Sequence, residues 1–91
     1  MKEQVLSLLK ARKGISTDIR DVLLLAIISG IISDIKYVNG IELDESNAGH
    51  TMLVLDWATW KYDHPEDGAV PRSIQYRLHN LIIKKAGEVS E

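Results

Sequence analysis

Cysteine is absent from this 91-residue chain. That excludes disulfides, thiolate metal sites and cysteine nucleophiles together, and it leaves the compartment open, a reducing cytosol included. Long apolar runs are missing as well. The richest, Val22 to Ile32, is 11 residues, against the ~20 that a helix needs to cross a bilayer. The start Met1-Lys2-Glu3-Gln4 has none of the apolar core of a signal peptide, so a soluble chain with no membrane contact is expected. Charge imbalance is small: the net formal charge is -2. This gives no overall attraction to nucleic acid or an acidic membrane, and any such contact must come from a local patch.

The motifs that usually mark chemistry are missing too. The sequence contains no HExxH, GxSxG, P-loop, GxGxxG or CxxC pattern. His50, His64 and His79 stand singly, and are read as surface or partly buried rings with local hydrogen bonds rather than metal ligands. Asp56 and Asp63 are seven apart on one helical face, where a carboxylate pair for acid-base work would sit. With Thr59 they also form the only polar stripe of their segment, which a solvated face explains completely. Trp57, Trp60, Tyr62, Tyr37 and Tyr76 suggest a base-stacking platform, but only Lys61 interleaves with the tryptophans and Asp56 and Asp63 flank them. Stacking sites want a positive groove, so core packing is the better reading. No enzyme activity, cofactor or metal is expected.

What is present is ordinary globular material, 45% hydrophobic and 26% charged, too apolar for disorder. One domain over residues 1–91 is expected, with a thin stability margin because short chains bury a smaller share of their surface. Helical spacing recurs in four segments, which predicts an all-α bundle with short loops. The first covers about residues 2 to 12, with Gly14 placed as its cap. The second starts at Ser16-Thr17-Asp18 and runs to about Val38, where Asn39-Gly40 stops it. The third spans about 47 to 63, entered through Ser46 or Asn47, with Gly49 weakening its first turn. The fourth has Pro71 in its first turn, Ile74, Leu78, Leu81 and Ile82 on its apolar face, Lys84 and Lys85 in its last turn, and Gly87 at its end. A small hairpin over Val38 to Leu43 is the one competing local structure.

The second and third segments are apolar almost all the way round, so both are expected at the centre. Either the outer helices sheathe them, or some of that surface meets another protein; Leu24 and Leu25 are the first candidates for such a contact. Charge is also uneven. Lys2, Lys10, Arg12 and Lys13 against Glu3 give +3 over residues 1–14; Glu42, Asp44, Glu45, Asp56, Asp63, Glu66 and Asp67 against Lys61 give -6 over 42–67; Arg72, Arg77, Lys84 and Lys85 give +4 over 72–85. Intramolecular neutralisation explains this, and so does head-to-tail attraction between copies; Arg72, Arg77, Asp63, Glu66 and Asp67 are the charged candidates for such an interface. Arg72, Gln75, Arg77 and Asn80 also have the side chains of a DNA-reading helix, though the acidic middle opposes tight binding.

Three stretches carry a family resemblance. Ile31-Ile32-Ser33-Asp34-Ile35-Lys36-Tyr37-Val38-Asn39-Gly40, Met52-Leu53-Val54-Leu55-Asp56-Trp57-Ala58-Thr59-Trp60-Lys61-Tyr62 and Pro71-Arg72-Ser73-Ile74-Gln75-Tyr76-Arg77-Leu78-His79-Asn80-Leu81 are similar to the second, central and last helices of the head-to-tail connectors (adaptors) of tailed phages, a family often grouped with putative DNA-packaging proteins. The resemblance covers about residues 5 to 85. It implies a protein made in the host bacterial cytoplasm and placed at the head-tail junction of the virion. There, a ring of about a dozen copies would sit between the portal and the tail-side connector proteins, with DNA passing through the channel without sequence-specific binding. Here the loop between helices three and four is shorter than in many members.

Overall fold

The computed structural model describes residues 1–66 and 68–89. Four helices follow one another, α1 (Lys2–Lys13), α2 (Asp21–Tyr37), α3 (Ala48–Asp63) and α4 (Arg72–Val89), and no strand occurs among the described residues. The hairpin over Val38 to Leu43 does not form.

The local signals explain most of the boundaries. Gly14 takes the left-handed conformation at φ 68, and Ile15 N–H donates back to the Lys10 carbonyl at 2.8 Å. This closes α1 and turns Ile15 toward the core. Gly40, also at φ 68, does the same for α2: Ile41 N–H reaches the Ile35 carbonyl at 3.0 Å, and Ile41 is buried. At the start of α3 the Asn47 side chain accepts from Gly49 N–H at 2.9 Å and His50 N–H at 3.3 Å, satisfying donors that a helix leaves orphaned. Pro71 stands just before α4, and its carbonyl accepts from Gln75 N–H at 3.0 Å.

Two boundaries differ from the sequence expectation. α2 begins at Asp21 rather than at Ser16-Thr17-Asp18, because the Asp18 side chain is taken by a tertiary partner instead of capping a helix. Lys10 Nζ of α1 lies 3.1 Å from Asp18 Oδ1 and 2.8 Å from Asp21 Oδ1, and these carboxylates, Asp21 first, raise the Lys10 pKa. At the other end, α4 runs past Gly87 to Val89. The left-handed glycines among the described residues are Gly14 and Gly40, so Gly87 stays helical and provides no stop.

The helices are not equally central. α3 packs against α1, α2 and α4, α2 packs against α3 and α1, and among the described residues α4 packs on no helix but α3. One core cluster gathers Val5 and Leu9 from α1, Leu24, Ile28, Ile31 and Ile35 from α2, Leu53, Val54, Trp57 and Ala58 from α3, and Ile74 from α4. Ile28 is fully buried at the α2 side of this cluster. Ile28→Ala is expected to lower the unfolding free energy by about 2–5 kcal/mol, measured by urea denaturation, whereas Val22→Ala on the exposed side of α2 should change it by under about 0.5 kcal/mol.

Candidate assembly interface

Inside the fold, part of the uneven charge is paired. Asp56 of α3 takes Arg12 of α1 on Oδ1 at 2.8 Å and Arg77 of α4 on Oδ2 at 2.7 Å, and Arg12 also lies 3.3 Å from Thr59 Oγ1. One carboxylate therefore ties two outer helices to the central one. Partial burial alone would raise the Asp56 pKa, but the hydrogen bonds and charges of the two guanidiniums outweigh it and hold the carboxyl below the usual carboxylate range. Lys13 pairs with Asp63 at 2.7 Å, and the N-terminal ammonium pairs with Glu45. The first helix and the acidic middle thus partly neutralise each other within one copy.

That geometry redistributes the residues proposed from sequence. Leu24 is corrected outright: it is fully buried and belongs to the core, so it has no surface to offer. Leu25 is half-buried. Arg77 and Asp63 are held in the pairs just described. Arg72 and Glu66 are exposed and form no ion pair among the described residues, while Asp67 lies outside the described residues. The six described positions do not converge on one patch.

The uncovered apolar surface lies elsewhere. Ile19, Val22, Leu23 and Tyr37 are 87%, 82%, 55% and 76% exposed, and Ala26, Gly30 and Ser33 between them are exposed as well. On the α2 wheel they occupy one arc, roughly opposite the buried Leu24, Ile28, Ile31 and Ile35. A second uncovered surface lies on α4, where Tyr76, Ile82 and Ile83 are exposed and a shallow groove runs between Arg72, Gln75, Leu78, His79 and Ile82. The exposed arc of α2 had one signal in the sequence, the alternating four-and-three spacing of all its members but Val22, which the surrounding leucines and isoleucines obscured.

The remaining polar side chains form local structure. His50 Nδ1 accepts the Asp44 N–H at 2.9 Å, and the Asp44 carboxylate accepts Ser46 Oγ at 2.7 Å and Ser46 N–H at 2.9 Å. The Ser46 hydroxyl, then its N–H, lowers the Asp44 pKa. His64 stacks on Trp60 with ring centroids 5.2 Å apart, and its Nδ1 lies 3.0 Å from the Trp60 carbonyl. A half-open cleft of about 420 Å³ between the 41–47 loop and the end of α4 is lined by Glu42, Asp44, His50, Lys84 and Lys85 among others, so charges of both signs face it. No group of three His, Asp or Glu side chains among the described residues gathers where a metal ion would sit. No helix among the described residues is long and apolar enough to cross a membrane. Compared with known proteins, the chain matches no family model, no curated sequence and no solved structure.

Because the folded Asp56 carboxyl sits below its unfolded value, its contribution to stability is complete above about pH 4, the unfolded value, and is lost as pH falls through the lower folded value. Asp56→Asn is expected to lower stability at pH 7 by about 0.5–1.5 kcal/mol and to flatten the fall in melting temperature below pH 4. A variant with the same acid profile as the parent would show that Asp56 is not the staple.

Proposed function

We propose that this chain is a structural assembly module, and specifically a head-to-tail connector of a tailed phage that forms a ring on the portal and joins it to the tail. The observation that carries the reading is the pair of uncovered apolar surfaces on two different helices, Ile19, Val22, Leu23 and Tyr37 along α2 and Tyr76, Ile82 and Ile83 on α4. Exposed apolar surface of this kind marks protein contacts, and two separate surfaces suit a subunit that meets more than one neighbour. The likeness of the second, third and fourth helices to the connector family supplies the particular setting, in which DNA passes through the channel and no reaction is catalysed.

A second reading has one feature in its favour. From Arg72 to Gly87 there is no acidic residue, and Arg72, Gln75 and Asn80 are exposed, as duplex recognition by α4 would need. Against it, Arg77 is held by Asp56, and Tyr76, Ile82 and Ile83 interrupt the polar face.

Native mass spectrometry of the full chain mixed with a purified portal ring separates the two readings. The connector reading expects a discrete complex carrying a ring of copies, and expects Tyr76→Asp or Ile83→Asp to reduce its yield at least several-fold with the helical circular dichroism unchanged. Absence of any portal complex, together with duplex DNA binding that falls steeply with salt, would overturn it in favour of the second.

A further inference from the structure

Along the outer side of α2, Ile19, Leu23, Ala26, Gly30, Ser33 and Tyr37 follow one another at steps of four, three, four, three and four, and all six are exposed. Ile19 stands in the turn that leads into the helix, and helical hydrogen bonding begins one residue later, with Leu24 N–H on the Arg20 carbonyl at 2.9 Å. This alternation is the 3.5-residue period of a seam between two helices. No charged residue lies on it.

Gly30 makes the same point independently. It sits in the middle of α2, keeps an ordinary helical φ, and a Cβ added to it would meet nothing within 4 Å. Glycine in a helix interior is less favourable than alanine by about 1 kcal/mol, and none of the described residues uses the space it leaves. A second backbone approaching from outside would.

We propose that, in the protein free of other partners, two copies pair through this face, with their α2 helices antiparallel about a two-fold axis level with Ile28. The residues choose both the partner and the direction. In that register Ala26 faces Gly30, Leu23 faces Ser33 and Ile19 faces Tyr37, so each layer but the outermost sets a larger side chain against a smaller one, and the backbones come closest at the centre. Arg20 and Asp34 lie on the same flank of the seam, and the antiparallel arrangement sets Arg20 of each copy beside Asp34 of the other. Both charges are open to such a contact. Asp34 is exposed and its carboxylate has no ion pair among the described residues, while the Arg20 guanidinium donates to the neutral Tyr62 hydroxyl. A parallel pair would instead leave Arg20 and Asp34 at opposite ends of the seam and lose this contact.

The helix is about 25 Å long, so the contact falls at or below the low end of specific interfaces, roughly 1,200 Å² in total. The pairing is therefore reversible and concentration-dependent. A two-fold contact closes at two copies and cannot propagate around a ring, so it describes the free protein and must part or be bypassed when a ring is built. It does not rest on the connector reading: failure to bind a portal leaves the pairing standing, and a monomer that still binds a portal overturns only the pairing.

Sedimentation equilibrium of the full chain over a concentration series tests it. The expected result is a monomer-dimer equilibrium that Arg20→Asp or Asp34→Arg each weakens about tenfold or more, and that the double exchange restores to within about threefold of the parent. Rescue by the second charge separates the contact from any effect on folding. Because the chain has no cysteine, Ser29→Cys should give a covalent dimer on mild oxidation, while Tyr37→Cys, with its two copies at opposite ends, should not. A monomer at every concentration, a dimer indifferent to both charge exchanges, or cross-linking through Tyr37→Cys and not through Ser29→Cys would overturn the proposal.

Discussion

Everything in this molecule follows from how four helices share their neighbours. α2 and α3 are both apolar around most of their circumference, and each would need to be surrounded to hide that surface. α3 receives three neighbours, α1, α2 and α4, and α2 receives two. The consequence is an asymmetry between helices of similar composition: Leu53, Val54, Leu55, Trp57 and Ala58 disappear into the core, while Val22 and Leu23 remain in water opposite the buried Leu24, Ile28, Ile31 and Ile35. Small size sets this limit, because a short chain has too few elements to wrap two greasy helices at once.

Electrostatics reinforces the same centre. Asp56 is a single residue on the polar stripe of α3, yet its two oxygens reach opposite outer helices through Arg12 and Arg77. Pairs as open to solvent as these each contribute little, on the order of 0–1 kcal/mol, but their geometry fixes where α1 and α4 lie on α3. Most of the basic charge of α1 is spent this way, on Asp18, Asp21, Asp56 and Asp63, and so is not available to attract another copy. Other charges stand outside any ion pair among the described residues. Arg20 and Asp34 flank the uncovered arc of α2, and Arg72 lies on α4.

Much of the fold was legible because its signals are local. Gly14, Asn39-Gly40, Asn47 and Pro71 each act within one or two turns of their own position, and each marks a helix boundary. The start of α2 was not legible, since Asp18 looks like a cap until Lys10, eight residues earlier, claims it. The candidate interface was hardest to read. On a helix with a polar stripe, sequence tells inside from outside, but α2 has none wide enough, and Leu23 and Leu24 differ only by the ~100° between successive residues. Which of the two is buried depends on where α1 and α3 sit, a tertiary fact absent from the pattern. The charge asymmetry was visible too, but its partners within the chain were not.

The central claim is that the outer side of α2 is open in one copy and covered by protein in an assembly. Hydroxyl-radical footprinting read residue by residue, at low and high protein concentration, addresses it at the level of side chains. The account predicts rapid oxidation of Leu23 and Tyr37 in the dilute protein, with Leu24 and Leu53 protected, and loss of the Leu23 and Tyr37 signals as concentration rises. Protection of Leu23 and Tyr37 already at the lowest concentration, or oxidation that ignores concentration altogether, would contradict it.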